Sequence, residues 1–169
     1  ALLKEPELVN KILISVVDAV EVPVTLKIRT GWDKTTINAI QIANIAENAG
    51  ISALAIHGRT RACRFVGEVE YETIARVTES ISIPVFANGD IDSPKKAKDV
   101  IEKTGATAVM IGRSALGKPW IFDQINEYLS HGTLYRQPSK EEIQKIVMTH
   151  LKSIPVSYTH LRAHETPCH

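Results

Sequence analysis

Four short apolar stretches in this 169-residue chain end in residues suited to chemistry. Their ends are Lys27 with Arg29, His57-Gly58-Arg59, Asn88-Gly89-Asp90 and Gly112-Arg113. The last pair is a good seat for a phosphate, because glycine lets a ligand approach the backbone closely and arginine supplies a bidentate donor. The Ser114-Ala115-Leu116-Gly117 run after it reads as a short helix that turns amide N–H groups toward the same place. Lys27 lies within an apolar stretch, where an unpartnered ammonium is costly. It suits donation to an electron-rich ring atom that gains negative charge. His57 offers a hydrogen-bond donor to a phosphate or substrate. Arg59, Arg61 and Arg64, with Arg29 and Lys34 on a neighbouring loop, gather five positive charges beside Phe65. That pattern suits a polyanion surface.

Plainer readings stand beside these. The glycines serve tight turns, Lys27 keeps its head in solvent, His57 is structural, and the arginines form a solvated charge run. Cys63 sits between Arg61 and Arg64, which would favour its thiolate, but it reads better as a passive loop cysteine. Lys95, Lys96 and Lys98 read as the exposed face of a helix.

Groups at the ends of apolar stretches need elements that bring them together. Residues 8–20 carry apolar side chains at helix spacing, and Pro23 stops them. Residues 22–28 then read as a buried strand. Residues 36–48 read as a helix closed by Gly50, 51–56 as a second strand, 70–80 as a helix and 83–87 as a third strand. Ser93 and Pro94 make an N-cap and a first helical residue, opening a helix to about Lys103 that Gly105 closes. Residues 107–111 are the fourth strand and 119–129 a helix. Ser139 and Glu142 form a capping box for a last helix to about Lys152.

Near-continuous apolar strands alternating with helices mean a parallel α/β sheet, either covered on both faces or closed as a barrel. An internal repeat favours the barrel. Val22-Pro23-Val24 ahead of Lys27 matches Ile83-Pro84-Val85 ahead of Asn88. Ile56-His57-Gly58-Arg59 matches Ile111-Gly112-Arg113. Two such units are two quarters of a (β/α)8 TIM barrel, whose functional groups sit at the C-terminal ends of the strands. The reading is a C-terminal half-barrel over residues 1–134, the start of a helical domain over 135–154, and a tail over 155–169 that looks non-native. His160, His164, Cys168 and His169 in that tail are not read as a metal site, since no supporting scaffold accompanies them.

A net charge of +1 gives no global argument for nucleic acid. The 44% hydrophobic and 5% aromatic content fits an aliphatic interior. Two cysteines make no disulfide framework, which points to a reducing cytosol. Neither a membrane-length apolar run nor a signal peptide is seen. The chain opens on Ala1 rather than Met, which fits a fragment.

The stretches VPVTLKIRTGWD, LAIHGRTRACRFVGEVEY, IPVFANGDIDSP and AVMIGRSALGKPWIF together resemble the tRNA-dihydrouridine synthase family, over about residues 1–154. The HGRTR loop is closest to a bacterial branch. The resemblance implies FMN bound at the top of a (β/α)8 barrel, a C-terminal helical domain that helps hold tRNA, and reduction of uridine to dihydrouridine with NADPH as reductant. It places Lys27 at the flavin ring and His57 near the flavin and the target base. Asn88, Gly89 and Asp90 fall at the flavin's phosphate and ribityl side, and Gly112 and Arg113 at its phosphate. Arg29, Arg59 and Arg61 face the uridine or the RNA. The family's hydride goes to uracil C6, and a cysteine on an earlier strand protonates C5. That strand is absent here, and Cys63 lies in a different motif. The chain alone is therefore expected to be inactive and poorly stable, with apolar strand edges exposed. Alternatives are a dihydroorotate-dehydrogenase-like FMN oxidoreductase, a phosphosugar isomerase barrel without flavin, and a flavin- or RNA-binding module. The HGRTR arginines argue against the first, and the lack of a strand-end carboxylate other than Asp90 against the second.

Overall fold

The computed structural model describes residues 2–133 and 136–162, with side chains through 153. It divides into two compact units, Ala1–Leu134 and Tyr135–His169. In the first, a turn of 3-10 helix (Leu2–Lys4) leads into α1 (Pro6–Asp18), and β1 (Thr25–Arg29), α2 (Ala39–Asn48), β2 (Ala53–His57), α3 (Glu72–Ser80), β3 (Val85–Asn88), α4 (Pro94–Thr104), β4 (Ala108–Met110) and α5 (Ile121–His131) follow. The four strands form one parallel sheet in the order β1-β2-β3-β4. The expected α/β alternation and the parallel sheet are both present. The second unit carries α6 (Lys140–Arg162).

Local chemistry explains the boundaries. β1 begins at Thr25 rather than at residue 22, because Pro23 has no N–H to give a neighbour. α2 begins at Ala39 rather than at residue 36. Asp33 Oδ1 captures the Thr35 amide and both threonine hydroxyls, which holds that segment as a turn. The expected caps form at α4, where Ser93 Oγ accepts from the Lys96 amide and Gly105 closes the helix at φ 65°. The capping box of α6 is reciprocal. The Glu142 amide donates to Ser139 Oγ, and the Ser139 amide donates to Glu142 Oε2.

One expectation is corrected. The sequence ends the last helix at about Lys152, whereas α6 continues through Pro155 to Arg162. Proline in a helix interior loses one backbone hydrogen bond and crowds the preceding turn, which bends a helix without always ending it. The rest of the histidine-rich tail lies outside the described residues.

The sheet has two unlike faces. Leu26, Ile28, Leu54, Ile56, Val85 and Ala87 join the core with the helices. Ile42, Leu54, Ile56, Ile74 and Val100 are wholly buried there, and each contributes about 1.5–3 kcal/mol by leaving water. Residues opposite in a parallel register share a face. The other face therefore carries the row Lys27, Ala55, Phe86, Ala108 and, above it, the row Arg29, His57, Asn88, Met110. β1 and β4 each pair on one side only among the described residues. An apolar groove of about 480 Å³ runs along the β1 edge past Val9, Leu13 and Leu26, and one of about 240 Å³ along the β4 edge past Val109, Phe122 and Ile125. No helix among the described residues is long and apolar enough to cross a membrane.

Candidate functional site

The upper row ends where the strands end, and a pocket of about 270 Å³ opens over it. Lys27, His57, Asn88, Gly89, Asp90, Gly112 and Arg113 all line it, joined by Arg29 and Phe65. The seven residues read from the sequence as cofactor-binding thus meet in one cavity, although they come from four strands. Asn88 donates from Nδ2 to the Met110 carbonyl at 2.8 Å, tying β3 to β4 at the pocket floor. Gly89 adopts φ 129°, and a Cβ there would lie 2.9 Å from Val69 Cγ2 and 3.0 Å from the His57 ring. Gly112 differs: no atom lies within 4 Å of where its Cβ would be.

The arginines expected to face RNA divide into two kinds. Arg61 is exposed, with its guanidinium over the Trp32 ring at 5.8 Å. Arg59 is not an RNA-facing side chain. It is 4% exposed and forks onto both oxygens of Asp90 at 2.9 and 2.6 Å, while Nε and Nη2 donate to the Gly67 carbonyl. A buried guanidinium requires such partners. Arg29 is likewise turned inward, donating from Nη1 to the carbonyls of Thr60 and Arg64, both at 2.9 Å. These bonds fold residues 58–71 over the strand ends. The Arg61 and Ala62 amides extend the same cover by donating to Gly31 and Trp32. Arg113, by contrast, is exposed, reaching Asp90 Oδ1 at 3.2 Å and passing over the Phe65 ring at 4.9 Å.

A family model described as dihydrouridine synthase (Dus) matches residues 1–165. The chain belongs to the dihydrouridine synthase family. It is 55% identical over 158 residues to the tRNA-dihydrouridine synthase B of Vibrio vulnificus, covering 94% of this chain and 49% of that protein. Its identity to the protein of the same name from Pseudomonas syringae pv. tomato is also 55%, over 94% of this chain and 47% of the relative. For Salmonella typhimurium the figures are 53% identity, 91% and 48%. The chain spans about half the length of the curated relatives it matches. Among solved structures, the BexX/CysO complex of Amycolatopsis orientalis and the YdjI aldolase of Escherichia coli K12 overlap at a TM-score of 0.48 each, with 16% and 17% identity. They cover 80% and 84% of this chain and 55% and 51% of theirs, a likeness too shallow to bear on function.

The charge of the site suits an anionic ligand. Lys27, Arg29 and Arg113 bring three cations to a pocket with one lining carboxylate, Asp90. The Arg59 hydrogen bonds, and then the Arg59 and Arg113 charges, hold that carboxyl below its usual range against a smaller opposing effect of burial. Asp90 therefore stays ionised. Burial, and then Arg29, Lys27 and Arg59, push the His57 imidazole down to about 4, so it is neutral at pH 7 and adds no charge. Burial and the Arg29 charge lower Lys27 as well. At about 270 Å³ the cavity lies just below the roughly 300–1,000 Å³ of complete ligand pockets.

Sequence reasoning missed two residues that support the pocket from behind. Tyr71 donates from its hydroxyl to the Gly89 carbonyl at 2.7 Å and so supports the β3 turn. Val69 packs against Gly89. Neither lies at a strand end, and no spacing marks them; only the length of the loop before α3 hints that something must fold back. Cys63 is half-buried, with its sulfur accepting from the Thr60 hydroxyl at 3.1 Å. Among the described residues, no cluster of three or more His, Cys, Asp or Glu could hold a metal ion.

Proposed function

We propose that this chain forms one half of an FMN-binding (β/α)8 barrel that reduces uridine in tRNA to dihydrouridine, with NADPH as the reductant. The observation that carries the reading is the convergence of seven residues from four strand ends on one cationic pocket. In this reading Gly112 and Arg113 hold the flavin phosphate, with Gly89 and Asp90 beside them. Lys27 donates from Nζ to the flavin ring, where a positive charge stabilises negative charge as it develops. Neutral His57 has one N–H to give and one nitrogen to accept with, which suits an uncharged heterocycle. Bound FMN supplies the hydride that uridine receives. The residues of this chain bind, orient and polarise.

Arg61, exposed beside Trp32, is the RNA-facing cation in this proposal. A tRNA substrate places the enzyme in the cytoplasm. The proton donor implied by the resemblance lies on an earlier strand, so this half alone is inactive. The apolar grooves along β1 and β4 support the same reading, since a second half-barrel would cover both.

The test is made on the complete gene product. It is expected to purify yellow and to reduce uridine in tRNA with NADPH. Lys27→Ala and Arg113→Ala should each lower flavin occupancy, with affinity falling about tenfold or more. Flavin absorbance that is unchanged in both variants overturns the assignment.

A further inference from the structure

We infer that Arg59 is a positioning residue for the phosphate seat, acting through Asp90 on Arg113. The inference rests on the proposed reading of the pocket as a flavin phosphate site. Arg59 itself is not among the pocket-lining residues. Its guanidinium is 4% exposed, joined to both Asp90 oxygens and to the Gly67 carbonyl. An arginine so buried is held in one geometry by its planar fork.

Asp90 is what that fork holds. It follows Gly89 at φ 129° and itself adopts φ 45°, a left-handed conformation uncommon outside glycine. Such a turn persists when its surroundings over-determine it. Here the Arg59 fork fixes the Asp90 side chain, and the Tyr71 hydroxyl fixes the Gly89 carbonyl.

Arg113 depends on this arrangement. Its side chain is 64% exposed, and an exposed ion pair alone contributes little to holding a side chain. Its partners are Asp90 Oδ1, which Arg59 Nη1 also bonds, and the Phe65 ring. Phe65 and Gly67 belong to the same loop. Arg59 therefore anchors the carboxylate against which Arg113 is aimed, and it ties the loop carrying Phe65 to the end of β3.

The phosphate separates this role from general support of the fold. FMN and riboflavin share the ring and ribityl chain and differ by the phosphate alone. In the complete gene product, dissociation constants for both are measured by flavin fluorescence quenching. Arg59→Gln and Asp90→Asn should each lower the preference for FMN over riboflavin about tenfold. Arg59→Lys should not rescue FMN binding, because an ammonium cannot fork onto a carboxylate. In an Arg113→Ala background, Arg59→Gln should cause no further loss. Equal loss of FMN and riboflavin, or a loss that adds to that of Arg113→Ala, overturns the inference. Should Arg59→Gln fail to fold, Asp90→Asn carries the test, and a retained FMN preference in that variant overturns it. A wild-type protein with no preference for FMN over riboflavin removes the phosphate seat and this inference together. A wild-type preference that persists in both variants removes only the positioning role.

Discussion

The unit β1–α2–β2 and the unit β3–α4–β4 share a scaffold and finish it differently. The first releases its strands into long segments, residues 30–38 and 58–71, which carry Trp32, Arg61 and Phe65 and are stitched together by the Arg61 and Ala62 amides. The second turns at once, over Gly89 and Asp90 after β3 and over Gly112 and Arg113 after β4. One unit supplies the cover and two of the pocket's cations, Lys27 and Arg29; the other supplies Arg113 and close backbone approach. The two meet where Arg59 of the first grips Asp90 of the second. Repetition of a strand–helix–strand plan thus sets where groups stand, and the loops decide what they do.

The sharpest way to break this comparison is to exchange open and closed glycines. Gly58→Ala puts a Cβ 2.3 Å from the Glu70 carbonyl oxygen, and Gly89→Ala forces a side chain onto φ 129° against Val69 and His57. Each is expected to cost the complete gene product about 3 kcal/mol in urea unfolding. Gly112→Ala meets nothing within 4 Å and should change stability by less than about 0.5 kcal/mol, while lowering flavin occupancy. Equal stability losses at all three would erase the distinction between closed and open strand ends.

A smaller effect belongs to the cover of the first unit. Arg61→Ala should weaken tRNA binding across sequences and lower the slope of log affinity against log salt by about 1. Filter binding at several salt concentrations reads both. The His57 shift gives a pH signature smaller again. The folded chain holds this imidazole near 4 and the ordinary value is 6.5, so on acidification the unfolded chain takes up the proton first. The contribution of neutral His57 is complete above pH 6.5 and is lost as the pH falls toward about 4. His57→Gln should flatten stability against pH in that window. The smallest effect lies away from both loops, at the exposed Lys98–Glu102 pair (3.8 Å) on α4. Lys98→Ala should cost about 0.3–0.5 kcal/mol in urea unfolding and leave flavin binding unchanged.

Much of this was legible because period and punctuation agree. The Ile-Pro-Val and Val-Pro-Val openings, the Ser93 cap and the Gly105 stop each act within a few residues, and each marks an element that forms. The pocket followed from parallel register, which sets Arg29, His57, Asn88 and Met110 side by side. What escaped depends on distant partners. Arg59, Arg61 and Arg64 alternate along the chain like one charged surface, yet Arg59 is buried by a carboxylate 31 residues away. Asp90, standing at the matching strand end, was the available clue. The extent of α6 escaped for the opposite reason: Pro155 is a strong local breaker that the surrounding helix absorbs.

Strand order that equals chain order also bears on how the sheet is made. Among the described residues, β2, β3 and β4 each pair with the strand synthesised just before it, through a single intervening helix. Loop-closure entropy is then met one helix's span at a time, which keeps the contact order of this parallel sheet below that of a sheet whose neighbours are distant in sequence. On the ribosome, β1 and β2 can dock before β3 emerges, and β4 arrives last. Each new strand becomes the edge that the next of the four joins.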